Sequence, residues 1–156
     1  MVMISYSDAE VYEKHADELI RFATMVAGPF EAEDVVANAM VRVFASAGWQ
    51  HALNQRAYLY RSVMREAAML ARGARRRTTR EQRVGAWAQD ASETSLRSEV
   101  IDAIRSLSVR QRAVVFMTFW LDAPVDEIAH LLSVSARTVQ RDLAISYEKM
   151  GSYLDE

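Results

Sequence analysis

Two sets of side chains in this chain of 156 residues have the types and spacing to hold nucleic acid. In the first, Tyr58, Arg61, Arg65 and Arg72 recur at intervals of three, four and seven, which puts them on one side of a helix. Trp49 and His51 lie in the short stretch just before. Guanidinium groups attract phosphates and flat rings stack on exposed bases, so arginines interleaved with aromatics suit single-stranded DNA. A packing role competes for the rings, because Trp49 and Tyr58 could equally plug the join between a loop and a helix. In the second set, Arg137, Gln140 and Arg141 alternate with Val139 and Leu143. With the two apolar residues turned inward one helical turn apart, Arg137, Gln140 and Arg141 face outward. There they can pair with base edges in a major groove or reach flanking phosphates.

Little else in the sequence carries chemistry. His15, His51 and His130 are far apart and have no cysteine company, so no metal site is expected. No pair of carboxylates is enclosed by apolar sequence in the way that raises a pKa for acid–base work. A glycine-rich phosphate cradle and a serine elbow are both missing. The eight methionines fall mostly on apolar faces and read as core filler. Neither catalysis nor a cofactor is expected.

Charge supports a nucleic-acid partner only through its distribution. The net charge is −2, yet residues 51–83 hold nine arginines against Glu66 and Glu81, while both flanks are acidic. A basic middle between acidic flanks is a local footprint of the kind a phosphate backbone feels. The plain alternative is a solvated, arginine-rich helix end.

The elements that must carry these residues are helical. Tyr12, Ala16, Leu19, Ala23 and Val26 recur at helical spacing, with Ser7 or Asp8 as cap and Gly28-Pro29 as terminator. A second helix is expected from about Glu31 to Ser46, burying Val35/Val36, Ala39/Met40 and Val43/Phe44. Its outer positions include Asp34, Asn38 and Arg42. After a loop over Ala47–Leu53, Asn54 can cap a third helix running to Ala71 or beyond. Between about Gly73 and Thr94 the apolar period stops, which reads as a tether with a helical start. Trp87 within it either docks on a partner or packs back on a module.

A fourth helix starts at Thr94 or Ser95 with Val100, Ile101, Ile104 and Leu107 inward, and Ser108 breaks it. A fifth carries Ala113, Phe116, Met117 and Trp120 inward. Pro124 opens a sixth with Ile128, Ala129 and Leu132. Ser133-Val134-Ser135 is a turn, Ser135 a cap, and the last helix turns Val139, Leu143 and Tyr147 inward. A small Ala129, a corner Val134 and a capped second helix are what a helix-turn-helix needs, although a plain helical hairpin would share the spacing. The expectation is an all-α chain of two small helical modules joined by a flexible linker: residues 8–77, a linker at 78–94, and a helix-turn-helix module at 95–154.

The sequence is 51% apolar, enough for real cores, and has no cysteine, which fits a reducing compartment. No run approaches the roughly 18 apolar residues of a spanning helix, and the acidic residues after Ser7 are unlike a secretory leader. A cytoplasmic protein with no membrane insertion is expected.

Several stretches together resemble a known family. Phe30-Glu-Ala-Glu-Asp-Val-Val-Ala-Asn-Ala-Met-Val-Arg-Val-Phe44 and Ala57-Tyr-Leu-Tyr-Arg61 resemble segments of the RNA polymerase sigma factors. So do Leu107-Ser-Val-Arg-Gln-Arg-Ala-Val-Val115 and the helix-turn-helix from Glu127 to Leu143. Their order and separation are similar to the small extracytoplasmic-function type, which keeps only the second and fourth regions. The resemblance implies a polymerase subunit with no reaction of its own, directing core RNA polymerase to promoters and helping to open them.

By that resemblance, the helix with Asp34, Asn38 and Arg42 would dock on the polymerase. The Trp49 loop, Tyr58, Arg61 and Arg65 would meet the melted promoter element. The helix from Ala136 would read the double-stranded one. An anti-sigma factor would be a further partner. Two other classes share these features: a helix-turn-helix transcription regulator independent of core polymerase, and a sigma-like protein-interaction module. Three positions in the second module depart from the family pattern, the first being Ser108, which stands where the family has proline. Ser133 stands where the turn usually has glycine, and Asp142 replaces a basic residue, where it is expected to repel phosphate.

Overall fold

The computed structural model describes residues 2–77 and 95–154, and all regular structure among them is helical. The first module comprises α1 (Val2–Ala27), α2 (Ala32–Ala45) and α3 (Gln55–Arg77), with a single 3₁₀ turn at Trp49–His51 before α3. The second comprises α4 (Ser95–Arg105), α5 (Val109–Phe119), α6 (Val125–Leu132) and α7 (Ala136–Leu154). Two helical modules are therefore present as expected. The expected linker at 78–94, Trp87 included, lies outside the described residues.

Local chemistry explains most boundaries. Gly28 ends α1 with φ 93°, a backbone state that side chains disfavour, and its amide donates to Thr24 O at 2.9 Å. Asn54 caps α3, its Oδ1 accepting from the Ala57 amide at 2.9 Å. Ser108 does more than interrupt a helix. Its hydroxyl accepts from the Gln111 amide and its own amide donates to Gln111 Oε1, a reciprocal cap that starts α5. Ser135 caps α7 through the Thr138 amide at 3.1 Å. Ser133, in the turn between α6 and α7, is left-handed at φ 57°, a strain of about 1 kcal/mol that a glycine would not carry.

Three sequence expectations change. First, α1 starts at Val2 and is not capped at Ser7 or Asp8. Asp8 lies inside the helix, and its carboxylate accepts a hydrogen bond from Trp49 instead of closing a helix start. Second, Trp120 is 60% exposed at the C-terminal end of α5, stacked on Phe116 at 6.1 Å between centroids. Third, Tyr147 is 52% exposed, edge-on to Phe119 at the surface. The inner face of α7 is instead Val139, Asp142 and Ser146, at positions i, i+3 and i+7. Hydropathy alone gives that face to the tyrosine.

In the first module Leu19, Phe22, Ala23 and Val26 of α1 pack against Val36, Ala39 and Val43 of α2 and Tyr60 and Val63 of α3. Tyr60 meets Phe22 edge-on at 4.8 Å. The core does not stop at the module boundary. Helix α5 lies against α1 and α3, and α6 lies against α3. Phe116 tilts onto Phe22 at 5.3 Å, so the apolar interior runs from one module into the other.

Candidate nucleic-acid interface

The first face is built on α3 and the turn before it. Tyr58 lies partly buried, its hydroxyl sharing a 2.8 Å hydrogen bond with Ser46 Oγ. A Cβ at Gly48 would stand 3.2 Å from that hydroxyl, so the glycine lets the ring lie close under the turn. Trp49 is only 2% exposed. It packs edge-on to Phe44 at 5.5 Å and to Tyr58 at 5.6 Å, and its indole N–H donates to Asp8 Oδ1 at 2.8 Å. Of the two roles left open for Trp49, packing is therefore where its ring is found. The surface of the same turn is made by Gln50, His51 and Leu53, all exposed. Gln50 and Leu53 carried no signal in sequence. A polar residue and an isolated leucine in a loop have no period that would distinguish them.

Beyond the turn, Arg61 is half-buried with Nε donating to Ala57 O at 3.2 Å, while Arg65 and Arg72 are exposed. Tyr58 to Arg72 covers about 20 Å along the helix at its rise of roughly 1.5 Å per residue. The first turn of α3 is pinned from α1. Arg56 Nε donates to Glu18 Oε1 at 2.8 Å, and the Tyr60 hydroxyl donates to the same oxygen. Burial pushes the Glu18 carboxyl up, but the hydrogen bonds from Arg56 and Tyr60, with the charge of Arg56, outweigh it and hold the pKa below the usual value. This part of the module is thus most secure above the ordinary carboxylate pKa and weakens as pH falls through the lowered one.

On α2, Asp34 and Asn38 are exposed and line a shallow cleft against α3 together with Glu66. Arg42 is on the same helix, its Nε 2.8 Å from the buried Glu66 Oε1 in an ion pair without hydrogen-bond alignment. Val41 is exposed beside them, and neither it nor Glu66 was singled out by sequence.

The second face is the start of α7. Arg137, Gln140 and Arg141 are all exposed on its first two turns, with Val139 buried behind them. Asp142 does not join them. Its side chain is 3% exposed and accepts from Arg110 of α5, Nε to Oδ2 at 2.6 Å and Nη2 to Oδ1 at 3.3 Å. The expected repulsion of phosphate by Asp142 therefore does not arise, since the carboxylate is neutralised inside the module. The pairing raises the Arg110 pKa, the Asp142 hydrogen bond being the main cause. Among the described residues no His, Asp or Glu cluster could hold a metal ion, and no helix is long and apolar enough to cross a membrane.

Residues 11–78 match the family described as Sigma-70 region 2, and residues 97–150 the family described as Sigma-70, region 4. The chain is 28% identical over 152 residues to the RNA polymerase sigma-E factor of Streptomyces antibioticus, covering 94% of this chain and 83% of that protein. Among solved structures it is similar to the sigma factor RpoE in complex with the anti-sigma factor NepR from Bartonella quintana. The TM-score is 0.67 at 14% identity, over 94% of this chain and 96% of that one. At so low an identity the likeness is one of fold.

Proposed function

Because the chain belongs to the sigma-70 family, as a sigma factor of the extracytoplasmic-function type with regions two and four, we propose that it binds core RNA polymerase, directs it to specific promoters and helps to open them. One observation carries this reading. Two exposed basic faces of different character stand on different modules: a long arginine row on α3 beside a loop, and a short Arg-Gln-Arg cluster at the start of a capped α7. The first suits a melted strand and the second a duplex major groove. Tyr58, Arg61, Arg65 and Arg72 hold the single strand. Gln50, His51 and Leu53 form the loop surface that meets its bases, and Trp49 supports that loop from within. Arg137, Gln140 and Arg141 read the double-stranded element. Asp34, Asn38 and Arg42 form the polymerase-docking side, and an anti-sigma factor is a further partner of the folded pair.

The test is transcription from a promoter library by core polymerase with and without the chain. Promoter-specific transcripts that depend on the chain are expected, and an unchanged transcript profile overturns the reading. The role of α3 is tested separately by salt dependence. Each phosphate contact to a single strand contributes about 0.7 to the slope of log K against log salt, so Arg61→Ala with Arg65→Ala should flatten it by about 1.4. If the double variant keeps the wild-type slope, the arginine row does not touch phosphate.

A further inference from the structure

Two arginines stand two residues apart on α5, and their surroundings differ. Arg112 is turned into the protein, and its hydrogen-bond partners are carbonyls. Nε donates to Ile104 O at 3.1 Å and Nη2 to Arg105 O at 3.4 Å, both at the end of α4. Nη1 donates to Val26 O at 3.2 Å, near the end of α1. Lys149 of α7 is likewise engaged, donating to Ser106 O at 3.3 Å and Gln111 Oε1 at 3.4 Å. Both cations have the protein's own oxygens as partners. Arg110 is different. It is 48% exposed, although the carboxylate that holds it, Asp142, is 3% exposed.

An arginine has five N–H donors, and the two bonds to Asp142 use one from Nε and one from Nη2. The other three are not bonded to any of the described residues. The inner edge of the guanidinium is thus gripped by a buried carboxylate, and the outer edge, Nη1 with Nη2, is left to donate. The base of the side chain is fixed as well. The reciprocal cap of Ser108 and Gln111 closes the first turn of α5 around Arg110, and Lys149 ties Gln111 to α7. A cation held in this way loses little freedom when it binds.

Its place relative to α7 decides what it can meet. At about 100° per residue, Arg137, Gln140 and Arg141 fall within one sector of that helix, and Asp142 lies about 100° further round than Arg141. Arg110 therefore joins α7 at the flank of the outward face. A helix in a major groove about 12 Å wide has phosphates close on its flanks, while base edges lie ahead of it. The family pattern has a basic residue at position 142. Here the carboxylate on α7 and the cation on α5 together return a positive group to that flank.

We propose that Arg110 is a phosphate-contacting residue of the duplex interface, positioned by Asp142, with Nη1 and Nη2 donating to the backbone beside the groove that α7 enters. This rests on the reading of α7 as the duplex-contacting helix. A bidentate guanidinium–phosphate contact fixes orientation as well as adding attraction. Arg110 carries no sequence information there and sets the register of Arg137, Gln140 and Arg141 on the duplex.

The test removes the pair without changing the net charge. Arg110→Met with Asp142→Leu takes away one positive and one negative group, so the balance stays at −2. Apolar side chains of similar size commonly replace a buried ion pair without loss of stability. The double variant, in the full-length chain, should bind every member of a mixed-sequence duplex panel more weakly. Its slope of log K against log salt should be flatter by about 0.9, so its disadvantage shrinks about threefold between roughly 50 and 200 mM salt. Discrimination between sequences should stay as in wild type. A wild-type slope in a variant that unfolds cooperatively overturns the proposal. Arg110→Lys keeps a cation beside Asp142 and should keep the wild-type slope. If it is as flat as the double variant, the pair acts only through the shape of the module, and the proposal is again overturned. Should the double variant fail to fold, wild type itself gives the answer. The Arg110 Nε–H, protected by Asp142, should give a slowly exchanging nitrogen-15 NMR signal that moves on addition of duplex, and an unmoved signal at saturation overturns the contact. Arg137→Ala with Arg141→Ala separates this inference from the reading beneath it. If that variant loses duplex affinity while the Arg110 variants keep the wild-type slope, only this inference fails. If it binds every duplex as wild type does, the reading of α7 fails and this inference falls with it.

Discussion

Replacing Trp49 with alanine is expected to lower the unfolding free energy by about 3–5 kcal/mol, the usual cost of removing a large buried aromatic side chain. The ring is almost wholly buried, and it holds Phe44 and Tyr58 in one edge-to-face cluster. Its N–H is satisfied by Asp8, so the substitution also removes the hydrogen bond that ties the turn to α1. Phenylalanine at the same place keeps most of the packing and loses that hydrogen bond, a loss of about 1 kcal/mol beyond the change in ring volume. Chemical denaturation of the two variants separates the terms. A Trp49→Ala protein that unfolds like wild type but binds a pre-opened promoter poorly would show that the ring faces DNA after all.

The second large effect is expected at the Arg110–Asp142 pair. Arg110→Ala leaves a carboxylate with 3% exposure and no counter-charge, which costs about 3–5 kcal/mol for a fully buried pair. Arg110 is itself 48% exposed, so solvent screens part of the interaction and about 3 kcal/mol is the expected loss. Asp142→Ala should cost less, because the arginine it releases can return to water. Asp142→Arg places a second guanidinium in the same buried position beside Arg110. It should unfold the second module, rather than relieve the phosphate repulsion expected from the sequence alone. A double-mutant cycle on Arg110 and Asp142, followed by denaturant unfolding, measures the coupling. A coupling near zero would reduce the pair to an ordinary surface ion pair.

Chain-neighbour chemistry is enough to dictate the helices and the order of the modules. The periods of three and four residues, Gly28-Pro29, the break at Ser108 and the caps Asn54 and Ser135 all act over one or two turns, so they are legible in the sequence. The outward placement of Arg137, Gln140 and Arg141 on α7 is legible in the same way, because Val139 is their immediate neighbour and must be buried. Choices between partners far apart in the chain were left to the fold. Asp8 lies 41 residues from Trp49, and Asp142 lies 32 from Arg110. Each carboxylate looked free for a cap or a phosphate until the fold brought its partner to it. Trp120 and Tyr147 failed for the related reason that hydropathy ranks a ring as an inside residue, whereas a paired Asp142 and a hydrogen-bonded Ser146 filled the inner face of α7. The docking of α5 and α6 onto the first module had no local signature at all. Burial of Phe22 against Phe116 and the sharing of Arg112 between two helix ends are tertiary facts, since a cation finds its carbonyls only where separate helices terminate together.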